Sequence, residues 1–207
     1  MQIRIVKPGS EDWQKATTLV HERYNSVFDA DVNPHPDCFI ACFGPDEGGA
    51  QTQRMIACSG VTFSESRPRF FSEQYLDAPI ESMIERGESK PIARNGIVEI
   101  GALASAEPLA GTELIRFLPI MIWCMGKRYV LCTATRQLRN LLHKNGIVFR
   151  PLGQAETKAL SEQDIARWGT YYEHMPQVGY FCLAELTGTF TRSTGRYMFF
   201  KIGRAHV

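Results

Sequence analysis

The spacing of apolar and polar residues changes along the chain, and each change marks an element. IRIVKP (3–8) alternates, the period of a half-buried strand. SEDWQKATTLVHERYNSVF (10–28) switches to helical spacing. Trp13, Ala16, Leu19, Val20 and Tyr24 share one face, and Ser10 stands where it can cap, with acidic residues in the first turn. DADVNPHPD is a Pro- and Asp-rich loop. CFIACFG (38–44) and RMIACSGVTFS (54–64) are β-prone runs joined by the turn PDEGGAQTQ, which predicts a hairpin. FFSEQYLDAPIESMIERG reads as a loop and then a helix beginning near Pro79.

The second half alternates strand and helix. NGIVEIGALAS (95–105) is a strand and GTELIRFLPIMIWCMG (111–126) a helix, which Pro119 either kinks or begins. KRYVLCTAT (127–135) is a strand, RQLRNLLHKNG a helix closed by Gly146, and IVFRPLG (147–153) a strand. SEQDIARWGTYYEHMP is a helix running into a loop, and QVGYFCLAELTGTF (177–190) a last strand. This order predicts an α/β fold with a mixed sheet and helices on both faces. The consecutive strand–helix–strand units predict parallel neighbours. One domain is expected over residues 1–190. The irregular tail 191–207 carries no functional argument, and its last residues are set aside as vector-like sequence.

Composition narrows the class. The chain has 207 residues, 44% hydrophobic and 22% charged, enough for an ordinary core. A net charge of +1 without a basic stripe argues against nucleic acid as partner. No run of 18 apolar residues occurs, so no transmembrane segment is expected. MQIRIVKPGSEDW lacks the apolar region of a secretory signal. The six cysteines (38, 42, 58, 124, 132, 182) sit mostly in apolar settings, as expected of buried reduced thiols in a cytoplasmic protein. Cys38 and Cys42 lack a second pair or a nearby His cluster, so no metal site is expected.

Candidate chemistry gathers around EIGALASAEPLAGTELI (99–115). A strand, a Gly-containing turn and a helix start aim backbone N–H groups at an anion; here these belong to Ala110, Gly111 and Thr112. The stretch is neither a Rossmann nor a Walker loop. Glu99 lies inside an apolar strand, where a carboxylate is costly unless paired or functional. Partial burial would raise its pKa toward that of a general base. The alternative is a residue facing solvent or paired with an arginine such as Arg94. Trp168, Tyr171 and Tyr172 either line a substrate pocket or simply pack. Thr133 ends the fifth strand, where open sheets present ligands; Thr135 does the same or caps the next helix. Arg136 and Arg139 either meet donor phosphates or a carrier protein, or are a charged helix face.

From about Ile97 to Leu152 the order of elements, with a helix ending in HKNGI, resembles the core of the GNAT acyltransferases. YLDAPIESMI, ARNGIVEIGALAS, CTATRQLRNLLHKNGI and WGTYYEHMPQV, led in by FFSEQYLD, resemble the signature blocks of the thermostable hemolysin family from about Phe70 to Val178. That family is similar in pattern to GNAT proteins and acyl-homoserine-lactone synthases. The resemblance implies a GNAT-like mixed sheet. It also implies an N-acyltransferase that moves an acyl group from a thioester (acyl-CoA, or the acyl-phosphopantetheine of an acyl carrier protein) or an acyl-adenylate to a small amine or amino acid. No covalently bound cofactor is implied. Glu99 would be the base, and the N–H groups near Ala110, Gly111 and Thr112 would hold the donor. The amides of Leu103 and Ala104 would polarise the acyl carbonyl. Arg23 and Tyr24, late in the first helix, would face the acceptor, since the synthases carry an important Arg in a comparable region.

The chain departs from the implied patterns twice. The family strand reads E-[VI]-G-N-L-A, but its Asn is Ala102 here, which removes a side chain able to orient a substrate carbonyl or amine. The tyrosine acid of many GNAT proteins is Leu142, and the adjacent His143 is expected on an exposed face. A thiolate leaving group needs little acid help. Two other readings stand beside the enzyme. A membrane-active hemolysin would want a lysine-rich amphipathic helix or barrel-like strand pairs, and neither stands out. A donor-binding module that has lost the chemistry would fit Leu142 and Ala102.

Overall fold

The element order of the computed structural model follows the period changes closely; it describes residues 1–46 and 49–186. Strands β1 (Gln2–Val6), β2 (Cys38–Asp46), β3 (Gly49–Phe63), β4 (Ile97–Ser105), β5 (Tyr129–Ala134), β6 (Arg150–Gln154) and β7 (Gln177–Cys182) form one sheet in the order β1-β2-β3-β4-β5-β7-β6. Helices α1 (Glu11–Phe28), α2 (Ile80–Glu88), α3 (Pro108–Cys124), α4 (Arg136–Lys144) and α5 (Glu162–Arg167) connect them. Ser10 caps α1 as expected, its hydroxyl accepting from the Trp13 N–H at 3.2 Å.

Alternation along the strands separates two layers. Ile40 and Cys42 of β2, Val98 and Ile100 of β4, and Val130 and Cys132 of β5 pack into one core with Leu114, Leu118 and Ile122 of α3. Their neighbours point the other way and divide into two smaller cores. Phe39, Ala41 and Phe43 pack with Ala16 and Val20 of α1. Ile97, Tyr129, Leu131 and Tyr180 pack with Ile80 and Ile84 of α2. A cavity opens between these two smaller cores.

Several sequence expectations are corrected. The expected row of parallel neighbours does not form. β4 and β5 are parallel, but β7 inserts between β5 and β6 and runs antiparallel to both. The hairpin turn is shorter than PDEGGAQTQ, because β2 continues to Asp46 and β3 starts at Gly49. β7 ends at Cys182 and gives way to a short 3₁₀ turn, Leu183–Leu186. The expected strand end 187–190 and the tail 191–207 lie outside the described residues. Pro119 lies within α3, not in its first turn. Cys124, expected to be buried, is exposed on the last turn of α3; the other five cysteines are buried and unpaired.

Candidate active site

The sheet parts at its centre. β4 and β5 pair through only three rungs, Ile97–Tyr129, Val98–Val130 and Glu99–Leu131, although β4 continues to Ser105. On the other side of β4 the register with β3 shifts between Cys58 and Gly60, the mark of a bulge, which bends the strand. Ala102 sits in the bulge with φ +48°. That left-handed conformation suits Asn or Gly better than Ala. The sequence pattern wanted an Asn at this position, and the backbone supplies a conformational reason for one.

Glu99 is the last residue of β4 to pair with β5 and is only 7% exposed. One carboxylate oxygen accepts from the Phe71 N–H at 2.9 Å; the other accepts from the Ser72 N–H at 2.8 Å and the Ser72 hydroxyl at 2.5 Å. Since Ser72 donates to the carboxylate, the 2.8 Å contact between Ser72 Oγ and Thr133 Oγ1 makes Thr133 the donor there. Burial pushes the Glu99 pKa up; the Ser72 and Phe71 donors oppose this, and the Glu73 charge adds to the rise. The alternative pairing with Arg94 is not found. Arg94 binds Glu73 at 2.7 Å and Glu81 at 2.8 Å instead.

Glu99 borders a cavity of about 340 Å³. Its wall includes Tyr24, Ala102, Thr133, Trp168 and Tyr171, so five sequence candidates meet there with Glu99. The rings pack on one another: Tyr24 is stacked 6.2 Å from Tyr171 at an interplanar angle of 17°, and Trp168 lies 4.9 Å from Tyr171, tilted by 44°. Tyr172 stands behind the wall, its hydroxyl 2.6 Å from that of Tyr75, which lines the cavity. Burial pushes the Tyr24 hydroxyl up to about 12, so it is a phenol at neutral pH.

Other candidates fall elsewhere. Arg23 is exposed on α1 and does not border the cavity. Leu103 and Ala104 follow the bulge, and Ala104 is buried against β3 opposite Cys58. The turn assigned to Ala110, Gly111 and Thr112 is already helix, because α3 begins at Pro108. The Gly111 N–H is spent on the Glu107 carbonyl at 3.1 Å. The donors at this helix start that make no hydrogen bond among the described residues are those of Leu109 and Ala110. Thr135 caps α4 by accepting from the Leu138 N–H at 3.3 Å. Arg139 fastens the carbonyls of Ala134 and Met175, and Leu142 is a core residue.

Two parts of the site escaped sequence reasoning. One is the 3₁₀ turn Phe71–Tyr75, whose amides hold Glu99. The other is the 31–36 loop, which forms a wall of the cavity. FFSEQY and DVNPHP were visible as motifs, yet a backbone donor has no side-chain signature. Gly60 has a close-packing role there: a Cβ on it would meet Pro36 Cβ and Cγ at 3.0 Å.

No curated protein sequence matches the chain significantly. Among solved structures, the chain is similar to FeeM, an N-acyl amino acid synthase from uncultured soil microbes, at 11% identity and a TM-score of 0.57, covering 91% of this chain and 99% of that one. It is similar to the acyl-homoserine-lactone synthase LasI at 8% identity and TM-score 0.55, over 90% of this chain and 94% of LasI. It is also similar to BjaI, a CoA-dependent acyl-homoserine lactone synthase solved with MTA, at 12% identity and TM-score 0.57, over 92% and 88% of the two chains. At such identities the likeness is one of fold: this is the GNAT-like fold of acyl-homoserine-lactone synthases. The profile named thermostable hemolysin matches residues 6–186, and the chain belongs to the thermostable hemolysin family.

Proposed function

We propose that the protein is an N-acyltransferase that forms an amide between an acyl group and a small amine or amino acid. The observation that carries this reading is the position of Glu99. It is buried, has no cation partner among the described residues, stands at the last rung before the sheet forks, and borders a cavity of substrate size. Three donors occupy three of the roughly four lone-pair positions of a carboxylate, which leaves one for a substrate proton.

In this reading the acceptor enters the cavity as an ammonium and Glu99 takes a proton from it. The freed amine nitrogen attacks the acyl carbonyl carbon. A C–N bond forms, the C–S bond to the donor breaks, and the second proton lost by nitrogen ends on the departing sulfur. The donor is the thioester of coenzyme A or of an acyl carrier protein, with an acyl-adenylate as the third option, for which the acyl C–O bond breaks instead and AMP leaves. It lies in the β4/β5 fork with its phosphates toward the N–H groups of Leu109 and Ala110. The burial of five free thiols supports a reducing, cytoplasmic setting. The membrane-active alternative gains nothing from the helices, since none of those described is long and apolar enough to cross a bilayer.

A catalytically impaired donor-binding protein is a second reading, favoured by Ala102. The φ of +48° is kept without the Asn side chain that would reward it. Mass spectrometry separates the two readings. The chain and its Ala102→Asn form are incubated with acyl-CoA, acyl carrier protein and acyl-adenylate donors against pooled amines and amino acids. An amide that disappears with Glu99→Gln supports the enzyme. An amide from the Asn form alone supports impairment. No amide from either, with no donor retained in native spectra, overturns both.

A further inference from the structure

The cavity is charged unevenly, and the unevenness describes an acceptor. Four charged residues besides Glu99 border it: Arg67, Arg167, Asp31 and Asp164. The two acids are hydrogen-bonded, although Asp164, like the arginines, forms no ion pair among the described residues. Asp31 Oδ1 lies 3.2 Å from His21 Nε2, and Asp164 accepts from the Ser161 hydroxyl at 2.7 Å. The two arginines are not neutralised. Among the described residues neither forms an ion pair, whereas Arg4, Arg54, Arg94, Arg116 and Arg150 all do.

Each arginine spends one nitrogen on the same loop. Arg67 Nη2 donates to the His35 carbonyl, and Arg167 Nε donates to the Asp31 carbonyl at 3.3 Å. A guanidinium carries five N–H donors, so most remain for a ligand. Its planar fork matches a carboxylate with two parallel hydrogen bonds. Glu99, by contrast, is a carboxyl group with no cation beside it among the described residues. The cavity therefore offers a negative group at the sheet and unpaired positive groups in its wall, with the rings of Tyr24, Phe71, Trp168 and Tyr171 around it.

Resting on the acyltransferase reading, we infer that the acceptor is an α-amino acid, its ammonium directed to Glu99 and its carboxylate held by Arg67 and Arg167. The aromatic wall favours acceptors with apolar or aromatic side chains. A simple amine lacks the group that the two arginines recognise, and it leaves both without a partner. Arg67 and Arg167 are thus specificity residues for the acceptor, in addition to fastening the 31–36 loop.

The test is a competition. Wild-type protein is given one acyl donor at a time, with equimolar phenylalanine and phenethylamine, and leucine and isoamylamine. The two amides of each pair differ by the carboxylate and are resolved by mass. Wild type should favour the amino-acid product by about tenfold or more, the effect of charge-assisted hydrogen bonds. Arg67→Gln and Arg167→Gln should lower the amino-acid to amine ratio by about 10- to 100-fold. Arg67→Lys and Arg167→Lys, which keep the charge and one donor, should restore part of it. Arginines that only fasten the loop would depress both products together and leave the ratio unchanged, which would overturn the inference. Equal use of the two acceptors by wild type would also overturn it while leaving the acyltransferase reading standing. If no amide forms, saturation-transfer NMR with phenylalanine and phenethylamine decides. Selective retention of phenylalanine, lost in Arg67→Gln, keeps the carboxylate grip and counts against turnover by the wild-type chain. Equal or absent retention removes both.

Discussion

Two buried glutamates on the two sides of one short turn have opposite electrostatics. Glu73, 3% exposed, lies within the Phe71–Tyr75 turn; Glu99, 7% exposed, lies on the strand beneath it. Both accept backbone amides: Glu73 from Phe70 and Ile80, Glu99 from Phe71 and Ser72. Burial pushes both pKa values upward. At Glu73 burial is the largest single influence, but the Arg94 guanidinium, gripping both oxygens at 3.0 and 2.7 Å, and the Phe70 and Ile80 N–H donors together outweigh it, and the net shift is downward. At Glu99 no cation is present among the described residues and the net shift is upward. A cation is what separates a carboxylate that holds a loop from one free to exchange a proton. The two are also linked, because the Glu73–Arg94 pair anchors the turn that presents its amides to Glu99.

The largest expected effect breaks the Glu99 side of the comparison. Glu99→Gln should lower kcat/KM for amide formation roughly 10²- to 10⁴-fold, the range for a lost general base. Far-UV circular dichroism should stay unchanged, which steady-state kinetics and spectra would check together. Breaking the Glu73 side should instead cost stability. Arg94→Met leaves a buried carboxylate without its cation, a loss of about 3–5 kcal/mol in urea unfolding. Retained stability in this variant would show that the pair is not the anchor.

The two sites should respond to pH in opposite senses. Glu73, with its pKa lowered on folding, adds stability at pH values above the ordinary carboxylate range and loses it as pH falls through its own lower value. Glu99, with its pKa raised, costs stability as pH rises from the ordinary carboxylate range through its own higher value. Unfolding free energies measured across pH should therefore show the wild-type advantage over Glu73→Gln shrinking on acidification. The balance between wild type and Glu99→Gln should move toward wild type on acidification over the range above the ordinary carboxylate value. Parallel trends for the two variants would remove the distinction.

Smaller effects sharpen the site. Thr133→Val removes the hydroxyl that donates to Ser72 and should slow turnover by about tenfold, near the value of one hydrogen bond. Ala102→Asn places a residue tolerant of positive φ in the bulge and should raise stability by about 0.5 kcal/mol. Thermal unfolding would read this, and a loss of stability would mean that the wall around Gly60 and Pro36 has no room for the longer side chain.

What the sequence disclosed follows from where the signal is local. The helical face of α1, the Ser10 cap and the costly carboxylate in β4 each need only a few neighbouring residues to be read. The start of α3 was also readable, since Pro108 is a favoured first-turn residue, but the glycine at 111 drew attention three positions too far along. The insertion of β7 between β5 and β6 depends on pairing between distant segments, and a strand's pattern does not say which edge it joins. The partner of Arg94 was equally hidden. Glu73 and Glu81 reach it from an exposed-looking loop and from α2, and nothing in their spacing favours them over Glu99. Arg67 and Arg167 lie 100 positions apart, and only the fold brings them to one cavity.

The most direct test of Glu99 as a proton acceptor is the pH dependence of kcat/KM for amide formation, in wild type and in Glu99→Gln. The expected wild-type profile falls on its acidic side, with a midpoint above the ordinary carboxylate range, and this limb disappears in the variant. A variant that keeps both the rate and the acidic limb of wild type would contradict the role assigned to Glu99.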